Sequence, residues 1–367
     1  MSANAEALGL PLEALETPAL CLDLDRYDRN LARMVDYIIR EHGLNWRPHM
    51  KGQKATDLAK RAMAAGAIGV TCATLYEAEA MAEAGIASIL LANQVVGERK
   101  LARLARLVRR TPGVMAATDS LAQARMVAQA AVGEGVTIAV VIELNVGMNR
   151  SGIAPGDETV ALAREIARMP GLRLAGLMGW EGHVLAFDEA TKQAKIAEAM
   201  GQLTATADQC RAAGIVIEIV SSSGSGTFRM AAPLAGITEM QAGGGVFSDL
   251  NYQKWGLEHE FALTVLTRVV SRPSPTRVIV DGGFKTMSVQ HGLPRPVGLR
   301  ELKSLALSAE HGTLELADPS PQPAVGDLVT FIPGYTDSTV CLHDEMCALR
   351  AGRLEAVWAI PGRSGRR

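Results

Sequence analysis

The chain has 367 residues, of which 48% are hydrophobic and 21% charged, and its formal net charge is −2. Such a balance supports a large globular core and leaves no electrostatic footprint for nucleic acid or an anionic membrane. No run reaches the roughly 18 uninterrupted apolar residues of a membrane helix, and the start MSANAEALGL lacks a basic-then-apolar leader pattern, so a cytoplasmic protein with small-molecule partners is expected.

From about residue 17 short β-like runs alternate with longer helical ones. Strand candidates are ALCLDL, AIGVTCA, SILLAN, MAATD, TIAVVIEL, LAGLMGW, IEIVSS and EMQAGG. The segments between them, such as LYEAEAMAEAG, GERKLARLARLVRR and DETVALAREIARM, place helix formers at amphipathic spacing. Repeated β-then-α units imply parallel strands. About eight of them predict a (β/α)₈ TIM-type barrel over residues 20–260, with its site at the C-terminal strand ends, and an open doubly wound sheet is the runner-up. Beyond residue 260 the texture changes to FALTVLTRVVSR, TRVIVDGG, DLVTFIPG and MCALRAGRLEAVWAI, strands bounded by Gly, Pro and Asp. These predict a mostly antiparallel β-domain over 261–367, which residues 1–19 cross over to join.

Three stretches carry candidate chemistry. NWRPHMKGQK, Asn45 to Lys54, follows a short second strand and sets Lys51 near the barrel mouth with Arg47 and His49 close in sequence. Desolvation and like charge there would favour an amine nucleophile, whereas the plain alternative is a solvated basic loop. SSSGSGTF, Ser221 to Phe228, and QAGGGVFSDLNY, Gln241 to Tyr252, are glycine-rich turns after consecutive late strands. Together they suit a phosphate cup, and no GxxxxGK[ST] nucleotide loop is present. An early lysine, a late phosphate cup and a trailing β-domain point to pyridoxal phosphate, which needs one amine and one phosphate anchor.

These motifs, with TPALCLDLDRYDRNLARM, ELNVGMNRSGI, VDGGFKTMS and VGDLVTFIPGYTDSTVCLHD, resemble the D-threonine aldolase and D-serine dehydratase family, which shares the alanine racemase type of fold. The resemblance spans nearly the whole chain. It implies a pyridoxal-phosphate barrel, a β-domain and a homodimer. It assigns Lys51 to the cofactor's aldehyde and Arg150 to its phenolic oxygen. Ser223, Gly224, Ser225, Gly226 and Thr227 are assigned to the phosphate, Gly243 and Gly244 to a second anchor, and Tyr252 to the pyridine nitrogen.

The chain departs from the family at three places. Where aldolases hold a divalent metal (Mn, Mg or Zn) through a Pro-Gly-His-Cys-Asp stretch, this chain reads PGYTDSTV, so Tyr335 replaces the histidine and Asp337 remains. His343 and Asp344 follow as substitute ligands or as surface residues. GWEGH places Glu181 and His183 two apart, so both face the mouth as an acid/base pair if the strand stays extended. Finally Gly244 and Gly245 stand where a serine and a tyrosine are expected, which should enlarge the pocket. The function expected is a pyridoxal-phosphate-dependent aldolase cleaving β-hydroxy-D-amino acids to glycine and an aldehyde. The alternatives are a racemase or epimerase using Lys51 and Tyr335, a D-serine-type dehydratase, and a non-catalytic pyridoxal-phosphate-binding protein.

Overall fold

The computed structural model describes residues 3–299 and 301–363. They form two compact units: 33–51 with 56–243, and 3–32 with 52–55 and 244–363. The first strand, β1 (Ala19–Asp23), belongs to the second unit; the next eight build the first.

Those eight are β2 (Asn45–Trp46), β3 (Val70–Cys72), β4 (Ser88–Gln94), β5 (Gly113–Thr118), β6 (Ile138–Leu144), β7 (Leu172–Gly179), β8 (Ile219–Ser222) and β9 (Glu239–Met240). They pair in parallel in the order β2-β9-β8-β7-β6-β5-β4-β3. The ring closes because His49 bridges Thr71 in parallel, while the Thr71 and Ile68 amides donate to Pro48 O and Trp46 O at 2.9 Å. Strand β6, IAVVIEL, is buried at every position, as a strand covered on both faces must be. Helix Glu98–Arg110 turns Leu101, Leu104, Ala105, Leu107 and Val108 inward and its arginines outward. Thr74 and Ser120 cap the following helices by accepting the amides of Glu77 and Gln123.

The inside of the ring is partly polar. Arg47 Nε donates to both oxygens of Glu239 on β9 at 3.0 Å, and its Nη1 donates to Ser88 Oγ on β4 at 2.8 Å. Strands β9 and β4 are not neighbours in the sheet, so these side chains meet across the interior. Ser221 Oγ on β8 donates to the same Glu239 at 2.9 Å, and Gln241 Nε2 donates to Ser221 Oγ at 2.9 Å. The strands also carry an apolar cluster of Leu90, Met115, Ala117, Ala139, Val141, Ala175 and Met178.

The second unit is a nine-stranded sheet among the described residues. Its further strands are β10 (Leu263–Ser271), β11 (Arg277–Val280), β12 (Arg295–Pro296), β13 (Leu302–Leu307), β14 (Gly312–Leu316), β15 (Leu328–Ile332), β16 (Glu345–Arg350) and β17 (Arg353–Ala359). All neighbours are antiparallel except β1 with β16. The start of the chain is sewn to it: Pro11 bridges Arg353, and Leu15, Ala19 and Cys21 share a core with Leu266, Cys347, Leu349 and Leu354. This unit starts at 244 rather than at the expected 261, and it also takes 20–32 and 52–55. The reason is Asp249, which caps helix Leu250–Lys254 through the amides of Asn251 and Tyr252 while its other oxygen accepts the Thr336 amide at 2.7 Å. No helix among the described residues is long and apolar enough to cross a membrane.

Removing Arg47 would leave Glu239 charged and fully enclosed. Arg47→Ala is expected to cost about 3–5 kcal/mol, read as a lowered urea midpoint, and a midpoint equal to that of the parent would show that the pair does not close the ring.

Candidate active site

Lys51 sits in the single 3₁₀ turn Met50–Gly52 that follows the short strand β2, half-buried, with its backbone amide donating to His49 Nδ1 at 3.3 Å. Its ammonium lies 5.8 Å from the centre of the Trp180 ring, and no carboxylate among the described residues is paired with it. The like charge expected from Arg47 is absent, because that guanidinium points into the barrel and is neutralised by Glu239. Trp180, the first residue after β7, therefore stands before the lysine.

The same tryptophan packs on the glycine turn. A Cβ on Gly224 would overlap the Trp180 ring, so only glycine lets turn 223–227 lie there. Ser223 starts the turn in the left-handed region at φ 71°, the Thr227 amide closes it onto Gly224 O at 3.1 Å, and Thr227 Oγ1 accepts the Gly224 amide at 3.1 Å. Ser223, Ser225 and Thr227 are all buried. One strand later, Gly243 admits no side chain because a Cβ would overlap His49 O, and the His49 amide donates to Gln241 O at 2.9 Å. Arg150 is largely exposed beyond β6 and loosely paired with Glu143 at 3.7 Å.

The expected Glu181–His183 pair does not form. Strand β7 ends at Gly179 and the chain winds into the 3₁₀ turn Gly182–Ala186, which turns the two side chains apart. Glu181 is fully buried beneath the glycine turn and accepts Thr227 Oγ1 at 2.5 Å, while its second oxygen has no protein partner. Burial raises its carboxyl pKa, opposed by the Thr227 hydroxyl. His183 packs instead on Gly147, where a Cβ would overlap the ring, and its Nδ1 has no partner. Burial, and Lys195 after it, lower the imidazole pKa, so the ring is neutral at physiological pH. It lines a cavity of about 600 Å³ with Asn145, Gly147, Asn149, Phe187 and Lys195.

In the β-unit the remaining candidates collect around one carboxylate. Tyr252 Oη donates to Asp337 Oδ1 at 3.1 Å and Tyr335 Oη donates to Asp337 Oδ2 at 3.0 Å. Burial first, and the Asp337 charge second, raise both phenol pKa values, so each tyrosine keeps its proton and acts as donor. Tyr252, expected against a pyridine nitrogen, thus spends its hydroxyl on Asp337. Gly244 opens no extra pocket: a Cβ there would overlap the Tyr252 hydroxyl and lie 3.1 Å from Asp337 Oδ1. His343 is half-buried with Nε2 on Thr286 O at 2.9 Å, and Asp344 pairs with Arg363.

The barrel residues fit pyridoxal phosphate. They offer an unpaired amine, a buried hydroxyl-and-glycine turn, two glycines that admit no side chain, and two polar atoms without partners. A divalent metal does not fit at Asp337. Both carboxylate oxygens already accept phenols, and no group of three or more His, Cys, Asp or Glu among the described residues is placed to hold an ion. The sequence reading missed Trp180 and Asp249. An aromatic closing an apolar strand reads as core, and an Asp before a helix reads as an ordinary cap.

Adding one methyl group at Gly224 should cost about 1–3 kcal/mol of cofactor affinity, roughly 5–150-fold. Gly224→Ala should lose the visible cofactor band on dilution while keeping its far-ultraviolet dichroism, and undiminished retention would disprove the packing argument. A second expectation concerns pH. Burial, aided by the Asp337 charge, pushes Asp249 up to about 6 from 3.8, against its hydrogen bonds to Thr336 and Tyr252. The folded state therefore holds this proton more tightly than the unfolded chain does, and the stability it contributes is complete below about pH 4 and lost by about pH 6. The stability advantage of the parent over Asp249→Asn should shrink across that window by on the order of 3 kcal/mol in urea titrations. A gap independent of pH would show that the hydrogen bonds win.

The alanine racemase N-terminal domain model matches residues 22–250, and the putative serine dehydratase domain model matches 262–349. The D-threonine aldolase of an Arthrobacter species is 33% identical over 360 residues, 97% of this chain and 94% of that one. The 3-hydroxy-D-aspartate aldolase of Paracoccus denitrificans is 32% identical over 369 residues, with the same shares. The crystal structure of the D-threonine aldolase from Filomicrobium marinum superposes with a TM-score of 0.93 at 35% identity, covering 99% of both chains. With more than half its length under one family model, and aldolases a third identical to it from end to end, the chain belongs to the alanine racemase-type family of pyridoxal-phosphate enzymes.

Proposed function

We propose that the chain is a pyridoxal-phosphate-dependent aldolase that cleaves β-hydroxy-D-amino acids of the D-threonine type to glycine and an aldehyde, working as a homodimer. The observation that carries this reading is end-to-end similarity to D-threonine aldolases in both sequence and backbone, together with a barrel site that fits the cofactor.

Bound there, the cofactor supplies an electron-withdrawing ring that accepts the electron pair released when the Cα–Cβ bond breaks. Lys51 supplies the amine that holds it. Turn 223–227 and Gly243 receive the phosphate, Arg150 takes the phenolic oxygen, and Trp180 shields the lysine from water on one side. His183, neutral and lining the cavity beside Gly147, accepts the proton of the substrate's β-hydroxyl; the C–O bond then becomes a carbonyl as Cα–Cβ opens, and a proton returned to Cα completes glycine. The lowered imidazole pKa keeps this base available through neutral pH. Glu181, hydrogen-bonded to Thr227, positions the phosphate turn rather than acting as a base.

Aldehyde release from D-threonine and D-phenylserine, coupled to an alcohol dehydrogenase, tests the reading. Lys51→Ala should fall to the uncatalysed level, and His183→Phe should lose about 10²–10⁴-fold in kcat. No aldehyde from either substrate, with or without added manganese, would overturn the assignment, and a 2-oxo acid with ammonia in its place would move the chain to the dehydratases.

A further inference from the structure

The two departures from the family pattern that looked unrelated in sequence, Tyr335 in the place of a histidine and Gly244 in the place of a serine, meet at the same carboxylate. Tyr335 donates to Asp337 Oδ2 at 3.0 Å. Gly244 lies where a side chain would overlap the hydroxyl of Tyr252, the phenol that donates to Asp337 Oδ1 at 3.1 Å. A serine at 244 would push that phenol off the carboxylate, so the glycine and Tyr335 serve one arrangement. Gly52 closes the third side, for a Cβ there would overlap Asp337 Oδ1.

The tyrosine rings are held as firmly as the carboxylate. Tyr335 meets His291 edge-on at 4.9 Å between ring centres and Trp255 at 6.0 Å, and Trp255 meets Tyr252 edge-on at 5.4 Å. A metal ion at Asp337 would compete with these phenols for the carboxylate's lone pairs, and the other carboxylates and imidazoles nearby in sequence are engaged elsewhere. Asp249 accepts the Thr336 amide and hydroxyl, His343 is on Thr286 O, and Asp344 is paired with Arg363. Cys341 turns its thiol to the Asp337 carbonyl at 3.4 Å.

We propose that the Tyr252–Asp337–Tyr335 triad stands where metal-dependent relatives hold a divalent cation, and that this chain binds no metal there and works without one. The proposal takes its setting from the aldolase reading above, but its primary readout is metal content and does not depend on which reaction is catalysed. The phenols supply two neutral donors to a carboxylate that a cation would otherwise neutralise. The site thereby keeps a fixed, hydrogen-bonded anion instead of a Lewis acid.

The experiment uses the full chain loaded with pyridoxal phosphate, stripped with a chelating resin, then titrated with manganese(II) chloride while the free-ion signal is followed by electron paramagnetic resonance. The expected result for the parent is a free signal that rises with every addition as in buffer, no stoichiometric metal by mass spectrometry of the purified protein, and the same turnover before and after EDTA. Tyr335→His, and Tyr335→His combined with Gly244→Ser, should each remove about one equivalent of the free signal, with the visible cofactor band reporting that the fold survives. One manganese ion sequestered per parent chain, or EDTA-sensitive turnover, overturns the proposal. So does failure of both folded histidine variants to take up the ion, since the phenols would then not be what excludes it. Should no histidine variant fold, the parent titration alone still decides the matter.

Discussion

The place of Lys51 depends on a buried ion pair whose arginine, Arg47, lies four residues before it. Arg47 leaves the end of β2 and reaches Glu239 on β9 and Ser88 on β4, and Ser221 on β8 completes the set. Strand β2 is only two residues long and would be a weak anchor by its ladder bonds alone. Enclosing a guanidinium and a carboxylate costs solvation, and a hydrophobic pair of equal volume would match its stability. What the pair adds is register. Only one arrangement of β2, β4, β8 and β9 satisfies the donors, and that arrangement sends Pro48, His49 and Lys51 out of the same end of the ring as turn 223–227.

Once that end is set, Trp180 organises what lies on it. It follows β7 directly, its ring faces the lysine ammonium, and Gly224 is pressed to its far edge. A strand that ran on past Gly179 would bring Glu181 and His183 to the same face. The 3₁₀ turn prevents this. It sinks Glu181 under the glycine turn and swings His183 against Gly147 at the wall of a cavity, so two residues that look like a dyad in sequence take different tasks.

The barrel was legible because its signals are local. Buried runs such as IAVVIEL, amphipathic helices and turn glycines each report on their own neighbourhood, whereas Lys51 and turn 223–227 were candidates by composition and were assigned to a cofactor only through the family resemblance. The boundary at 244 was not legible, since it rests on Asp249 accepting an amide 87 residues away. The meaning of Gly244 was read in the wrong direction for the same reason. A missing side chain suggests a larger cavity, yet whether space is empty depends on what arrives from elsewhere in the chain, here the Tyr252 hydroxyl. Likewise Arg47, read as a neighbour pressing charge on Lys51, turned inward to a partner 192 residues away.

A single negative charge accounts for several properties of the β-unit that look separate. Asp337 lies beside two phenols and a second carboxylate, with no cation among its hydrogen-bond partners. Its field raises the pKa of Tyr252 and Tyr335 beyond what burial does and adds to the burial that pushes Asp249 up to about 6. A divalent ion at this point would reverse the sign of the local field, pull phenolic protons off and return Asp249 toward its ordinary range. Burial and the uncompensated charge beside them together keep the two tyrosines protonated, and so donors to Asp337. The triad is therefore self-consistent without a metal: the anion keeps the phenols protonated, and the protonated phenols occupy the anion.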